Sequence, residues 1–173
     1  MIIYYIIAIL AALCWAFASL ISADLTREIG ALVFNRIRLF FVSLMLVGYT
    51  TYIGTWHTLN SNTLTVILIS GVIGIFLGDT LLFMALQRIG PRRNNILFAL
   101  AAPFTVLLNI VFLNEVMGLL NLIGCIGVFC GVVIAIMYGK TKNNEHRWEM
   151  IEGSLTIGII MGILAAFCQA IGL

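Results

Sequence analysis

The sequence predicts an all-α fold, a polytopic bundle of transmembrane helices. Three observations carry this reading. Of the 173 residues, 62% are hydrophobic and only 9% are charged, against about 25% charged in a soluble domain. Mean hydropathy is +1.15, and a chain this small has too little interior to hide so much apolar side chain from water. The apolar residues come in unbroken runs of about 20, the length that crosses a bilayer as a helix. A membrane β-strand would alternate apolar and polar residues instead.

Taken in order, the runs give a first span at residues 3–22, a second at 37–56 and a third at 64–86. A fourth follows at 95–114 and a fifth at 117–138. A sixth begins near Gly153 and is still apolar at Leu173. The first run is a true span and not a signal peptide. It has no Lys or Arg ahead of it and its core is too long for an h-region. The second is entered through Asn35, Arg36 and Arg38. Gly90, Pro91, Arg92 and Arg93 make a tight turn between the third and fourth, with Gly and Pro as breakers. Glu115 separates the fourth from the fifth, and the longest polar stretch precedes the sixth. Short links force neighbouring spans to run antiparallel.

All nine Lys and Arg fall at one side: Arg27, Arg36, Arg38, Arg88, Arg92, Arg93, Lys140, Lys142 and Arg147. The other side carries His57 and Glu115. The positive-inside rule would put the charged connections in the cytoplasm and the N-terminus outside. The net charge of +2 is too small and too dispersed to suggest nucleic acid. Cys14, Cys125, Cys130 and Cys168 lie inside apolar runs with no CxxC spacing, as small packing residues do.

The last run repeats the first. Residues 9–16 read ILAALCWA and residues 163–170 read ILAAFCQA, with six of eight positions identical at an offset of 154 residues. That period holds five spans. Five is odd, so a second copy must cross the membrane in the opposite sense, the inverted-topology repeat of many secondary transporters. The expected organisation is a first five-helix repeat over residues 1–139, a polar linker over 140–152 and the first helix of a truncated second repeat over 153–173. A missing second half, or a homodimer partner, is then expected to supply the rest.

From Gly71 to Ala135 the chain resembles the EamA-type branch of the drug/metabolite transporter superfamily. The residues that carry the resemblance are LLFMALQRIGP at 81–91, ILFALAAPFTVLLN at 96–109, FLNE ending at Glu115, and LLNLIGCIGVFCGVV at 119–133. The opening helix, with AALCWAFAS at 11–19, fits as well. The resemblance implies half of an inverted-repeat ten-helix transporter, with a central substrate site between the halves. It implies movement of small metabolites, amino acids or related solutes among them, by alternating access. The family is usually described with a cytoplasmic N-terminus, the reverse of what the charges here favour. The expected location is the plasma (inner) membrane of a prokaryote.

Asp79 is the sharpest single signal, the one acid deep within a span. An Asp at the bilayer centre costs roughly 2.5–3.5 kcal/mol, so it must face protein or water. It is a candidate for proton or ion coupling, or for a counter-charge to a substrate amine; a structural hydrogen-bond acceptor is the alternative. Trp15 and Pro103 fall at similar depth. Pro103 lacks the N–H that would bond the carbonyl of Ala99, and an exposed carbonyl beside a carboxylate and an indole would form a polar patch. The substrate-binding candidates are therefore Asp79, Trp15, Pro103, Ser19 one turn from Trp15, and Asn109. Plain packing remains the alternative for Trp15, a mere kink for Pro103, and an interhelical hydrogen bond for Asn109.

Glu115 reads as a cap for the fifth helix, complementing its dipole. Arg36 and Arg38 read as snorkelling to head groups, with recruitment of an anionic substrate as their other use. The pairs Gly74/Gly78, Gly127/Gly131 and Gly158/Gly162 permit close helix approach. No Walker loop, HExxH or GxSxG is present, and no metal or cofactor is expected; His57 and His146 lie in separate connections. A non-transporting membrane scaffold or subunit is the competing reading, and an intramembrane enzyme acting on lipid a third.

Overall fold

The computed structural model of the protein describes residues 2–54, 56, 60–114, 117–138 and 152–173. The readings made on His57, Glu115, Lys140, Lys142, His146 and Arg147 lie outside the described residues. The described chain is helical throughout: α1 (Ile2–Ile29), α2 (Ala31–Ile53), α3 (Ser61–Ser70), a π-helical segment (Gly71–Leu77), α4 (Gly78–Phe98), α5 (Ala101–Leu113), α6 (Leu119–Tyr138) and α7 (Leu155–Gly172). Among the described residues, five helical runs are long and apolar enough to cross a membrane: Ile3–Ile29, Ala31–Ile53, Ser61–Phe98, Leu119–Tyr138 and Leu155–Gly172.

The expected turn falls at Gly90. Its backbone (φ 79, ψ 166) leaves helical space inside the run ending at Phe98, a conformation open to glycine at little steric cost. Pro91 follows as the first residue of the next helical stretch, where its missing N–H is no loss. The chain reverses there, as its neighbours along α7 show. Before the turn, Gly74, Gly78 and Ile89 lie against Gly172, Cys168 and Gly158. After it, Leu97 lies against Gly162 and the Phe104 ring meets Phe167 edge-on at 5.6 Å. The order on α7 falls on one limb and rises on the other. So α7 sits in the groove of a helical hairpin whose tip is Gly90.

The second limb breaks once more, at Ala99 and Leu100, four residues ahead of Pro103. The expected disturbance at Ala99 is present, but its carbonyl is not left bare. A tightened turn lets it accept from the Ala102 N–H at 3.4 Å. Together residues 91–113 rise about 34 Å at the helical step, enough for a hydrocarbon core of about 30 Å.

Two expected boundaries move. The first helix continues past Ser22 to Ile29, because nothing in residues 23–29 breaks a helix and Arg27 in its last turn complements the dipole. Gly30 alone (φ 86) makes the connection. The second helix therefore starts at Ala31, not Ile37, so Asn35, Arg36 and Arg38 are helical residues. At this same end of the bundle Arg27 lies 3.4 Å from Glu152, and the Glu152 N–H donates to the Arg88 carbonyl. α1 thus ends, and α7 begins, at the charged face, and the two run in opposite senses.

Lipid is as apolar as leucine, so helices here associate through close packing and hydrogen bonds, not through flight from water. The core reflects that. Ile89, Leu97, Leu100, Val132 and Ala166 form one buried cluster, and Ala23, Ala31, Phe83 and Leu86 a second. α7 presents Gly158, Gly162, Ala165, Ala166 and Ala170 inward. A Cβ on Gly158 would stand 2.3 Å from Cγ2 of Ile89, and one on Gly172 would stand 2.6 Å from Cα of Gly74. Ser70 closes the far end, its hydroxyl donating to the Gly172 carbonyl at 2.5 Å. Gly127 and Gly131 differ: no atom of the described chain lies where their Cβ would be.

Gly158→Ala should therefore lower stability in detergent by about 1–3 kcal/mol, the usual overpacking cost. Gly127→Ala should stay within about 0.5 kcal/mol of the parent. Thermal unfolding of the two purified variants is the comparison, and equal melting temperatures would count against the groove packing of α7.

Candidate functional site

A cleft opens between α1, α2 and the two limbs of the hairpin, about 440 Å³ when the solvent-open space at its mouth is included. Its wall includes Trp15, Ser19, Arg38, Asp79, Phe83 and Asn94. Asp79 sits eleven residues before the Gly90 tip, about 16 Å along the helix axis, near half the thickness of a hydrocarbon core. It is 8% exposed.

The carboxylate is not alone. Nη1 of Arg38 donates to Oδ2 of Asp79 at 2.5 Å, a single hydrogen bond and not a forked one. The guanidinium also lies over the Phe83 ring, 5.3 Å from its centroid, a cation–π arrangement. Phe34 holds that ring from the side, edge-on at 4.9 Å. The spacing along α2 produces the arrangement. Asn35 and Arg38, three residues apart, share a face, and α4 runs antiparallel beneath it. Asn35 thus meets Thr80 (Nδ2 to Oγ1, 3.0 Å) while Arg38 meets Asp79. Thr80 passes the contact on, its hydroxyl donating to the Phe76 carbonyl at 2.5 Å, next to the point where the π-helical segment gives way to α4. The structure corrects the sequence reading of Arg38. It does not snorkel to a head group, because the buried carboxylate offers a nearer and less solvated partner. Arg36, two positions away on the opposite face, is exposed.

The far wall comes from α1 and residues 94–95. Ser19 and Asn95 exchange hydrogen bonds of 3.2 and 3.0 Å. Trp15 stacks on Phe98, with centroids 5.9 Å apart and planes 16° off parallel. Asn94 is 2% exposed, and its Oδ1 has no hydrogen-bond partner. Of the five residues singled out in the sequence, the structure brings Trp15, Ser19 and Asp79 to one cleft. Pro103 and Asn109 are not in its wall. Pro103 is buried farther along the second limb, and Asn109 lies about two turns beyond it. Ser22, Asn94 and Asn95 carry no functional reading in the sequence, and Arg38 carries one only as a recruiter of anionic substrate. The signal for Arg38 was available: an acid inside a membrane needs a partner, and a base one helical turn from an Asn marks one face. Sequence spacing starts this helix at Asn95, whereas it starts at Pro91, so Asn94 and Asn95 lie past its first turn and face the cleft. Among the described residues no group of three or more His, Cys, Asp or Glu could hold a metal ion.

Apolar helices around a cleft lined by a partly buried ion pair and amide side chains define an integral membrane protein with a polar patch inside its bundle. The chain belongs to the EamA-like transporter family, whose model matches residues 2–137. It is 26% identical over 173 residues to an uncharacterized transporter of Archaeoglobus fulgidus, an alignment covering 97% of this chain and 56% of the relative. The chain therefore spans about half the length of that relative. No solved structure matches.

The ion pair and the Ser19–Asn95 pair should differ in strength. Interhelical hydrogen bonds between neutral groups in membranes average about 0.6 kcal/mol. A close pair of full charges that is mostly shielded from water couples more strongly, although part of Arg38 remains solvated, which reduces the value. A double-mutant cycle on Arg38→Gln and Asp79→Asn should give a coupling of more than about 1 kcal/mol, and one on Ser19→Ala and Asn95→Ala less than that. Detergent unfolding measures both, and the reverse order would deny the ion pair its structural role.

Proposed function

We propose that this chain is a five-helix half, with the first helix of its inverted copy, of a secondary transporter of small metabolites. Solute sits in the cleft against Asp79, Trp15 and Ser19, and alternating access exposes it to one side of the membrane and then the other. The observation that carries this reading is the Arg38–Asp79 pair, two charges held near mid-membrane in the wall of an open cleft. Charges at that depth cost free energy that a purely structural helix contact does not require, and intramembrane ionisable residues mark solute and ion paths.

The repeat supports the same reading. α1 and α7 share the ILAA motif and run in opposite senses, as first helices of inverted units must. A second five-helix unit, in a longer chain or in a partner copy, would close the cleft from the open side and complete the site. Amino acids and related solutes fit a cleft that offers one positive and one negative group. Asp79 is the candidate for proton or ion coupling. The work is movement of solute and not bond chemistry. The archaeal relative favours the plasma membrane of a prokaryote.

Pro103 and Asn109 act in this scheme through the bend of the second limb, at a distance from the solute. The alternation of access would then hinge partly at Ala99 and Leu100.

In the transport-competent assembly, Asp79→Asn should abolish solute flux driven by a pH gradient while leaving membrane insertion intact. Proteoliposomes with an imposed gradient provide the measurement. Parental flux in that variant would take Asp79 out of the mechanism.

A further inference from the structure

A lone carboxylate in an apolar cleft is a trap for cations. Here that carboxylate is already held: Arg38 reaches Asp79 from α2 through one hydrogen bond. Among the described residues, the rest of the cleft wall carries no formal charge. The wall is thus neutral as a whole, although two full charges are embedded in it. The pair is also not saturated. Arg38 has five N–H donors, of which one goes to Asp79, and its side chain is 35% exposed. The cleft can therefore offer donors from Arg38 and acceptors from Asp79 to a solute without first losing the pair.

We propose that Arg38 is the specificity-determining residue of this cleft: by neutralising Asp79 it makes the cleft accept solutes of zero net charge and refuse the organic cations that Asp79 alone would attract. The inference rests on the reading of the cleft as the solute site and adds its charge rule. The physical reason is balance. A singly charged solute leaving water for this wall finds no net counter-charge to offset its lost hydration. It can bind only by displacing one member of the pair, which strands the other charge. A solute with no net charge, whether uncharged or carrying both signs, does neither.

The rule inverts when one partner is removed. Purified chain, parent and variants, is titrated with three probes of one shape: benzyltrimethylammonium, benzoate and benzyl alcohol. Binding is followed by the rise in melting temperature, since a ligand that binds the folded form stabilises it. The parent should bind benzyl alcohol and discriminate against both ions. Arg38→Gln should bind the cation at least about tenfold more tightly than the parent, and Asp79→Asn should gain benzoate by a similar factor, the scale expected when one buried charge is left without its partner. The double variant should show neither gain.

Overturning results are a parent that binds the cation within about threefold of Arg38→Gln, or a double variant that gains the ions as the single variants do. Should Arg38→Gln fail to fold, Asp79→Asn decides, because Arg38 is partly exposed and tolerates the loss of its partner better. No gain for benzoate there overturns the proposal. Flux in proteoliposomes, measured separately, keeps the two readings apart. Charge selectivity without flux supports the rule and removes transport; flux without the selectivity shifts removes the rule alone.

Discussion

A carboxylate inside a hydrocarbon layer must be neutralised, hydrated or paired, and the architecture around Asp79 follows from how that demand is met. Pairing with Arg38 requires α2 to begin early enough to carry the base into the bundle, and to cross α4 at the level of Asp79. It requires Phe83 to flank the guanidinium and Phe34 to hold Phe83. Asn35 and Thr80, one turn away, tie the same two helices together and occupy the carbonyl of Phe76. None of these contacts would be worth ordering in water, where the two charges would be solvated separately. In lipid they decide how two helices meet.

On the opposite side of α4 the constraint is space, not charge. Small residues of α7 let it drop into the hairpin until side chains such as Ile89 and Leu97 occupy the positions where its own Cβ atoms would have been. One face of α4 is thus fixed by electrostatics and the other by packing density, and the cleft opens only on the first. The faces of α6 at Gly127 and Gly131 are open in the described chain, which separates glycines that serve this bundle from glycines that do not.

Much of this was legible in the sequence. The Gly90–Pro91 reversal, the disturbance ahead of Pro103, the inward use of Gly158 and Gly162, and the burial of Asp79 all follow from residue chemistry at known spacing. What was not legible shares one cause. Spans delimited where polar residues begin leave Asn35 and Asn94 in connections and put Arg38 and Asn95 at helix ends. A polar side chain is excluded from a membrane helix only if it faces lipid, and these do not. Which face a residue presents depends on the crossing of helices far apart in sequence, such as residues 38 and 79, and no local pattern encodes that. Depth and a disturbed carbonyl group Pro103 with Asp79, and polarity within the same span adds Asn109; neither fixes the rotation about the helix that decides which side chains meet.

The π-helical segment at Gly71–Leu77 takes more residues per turn than the α-helix on either side of it. It acts as a phase adjuster within a single membrane crossing: it separates the orientation of Asp79 from the orientation of everything that precedes it. The stretch from Ser61 to Ser70 ends with the Ser70 hydroxyl on the Gly172 carbonyl, while the acid nine residues later is aimed at its base on α2. The two ends of the crossing can therefore meet different partners, and rewinding those seven residues as plain α-helix would turn the carboxylate relative to Ser70 and separate one contact from the other.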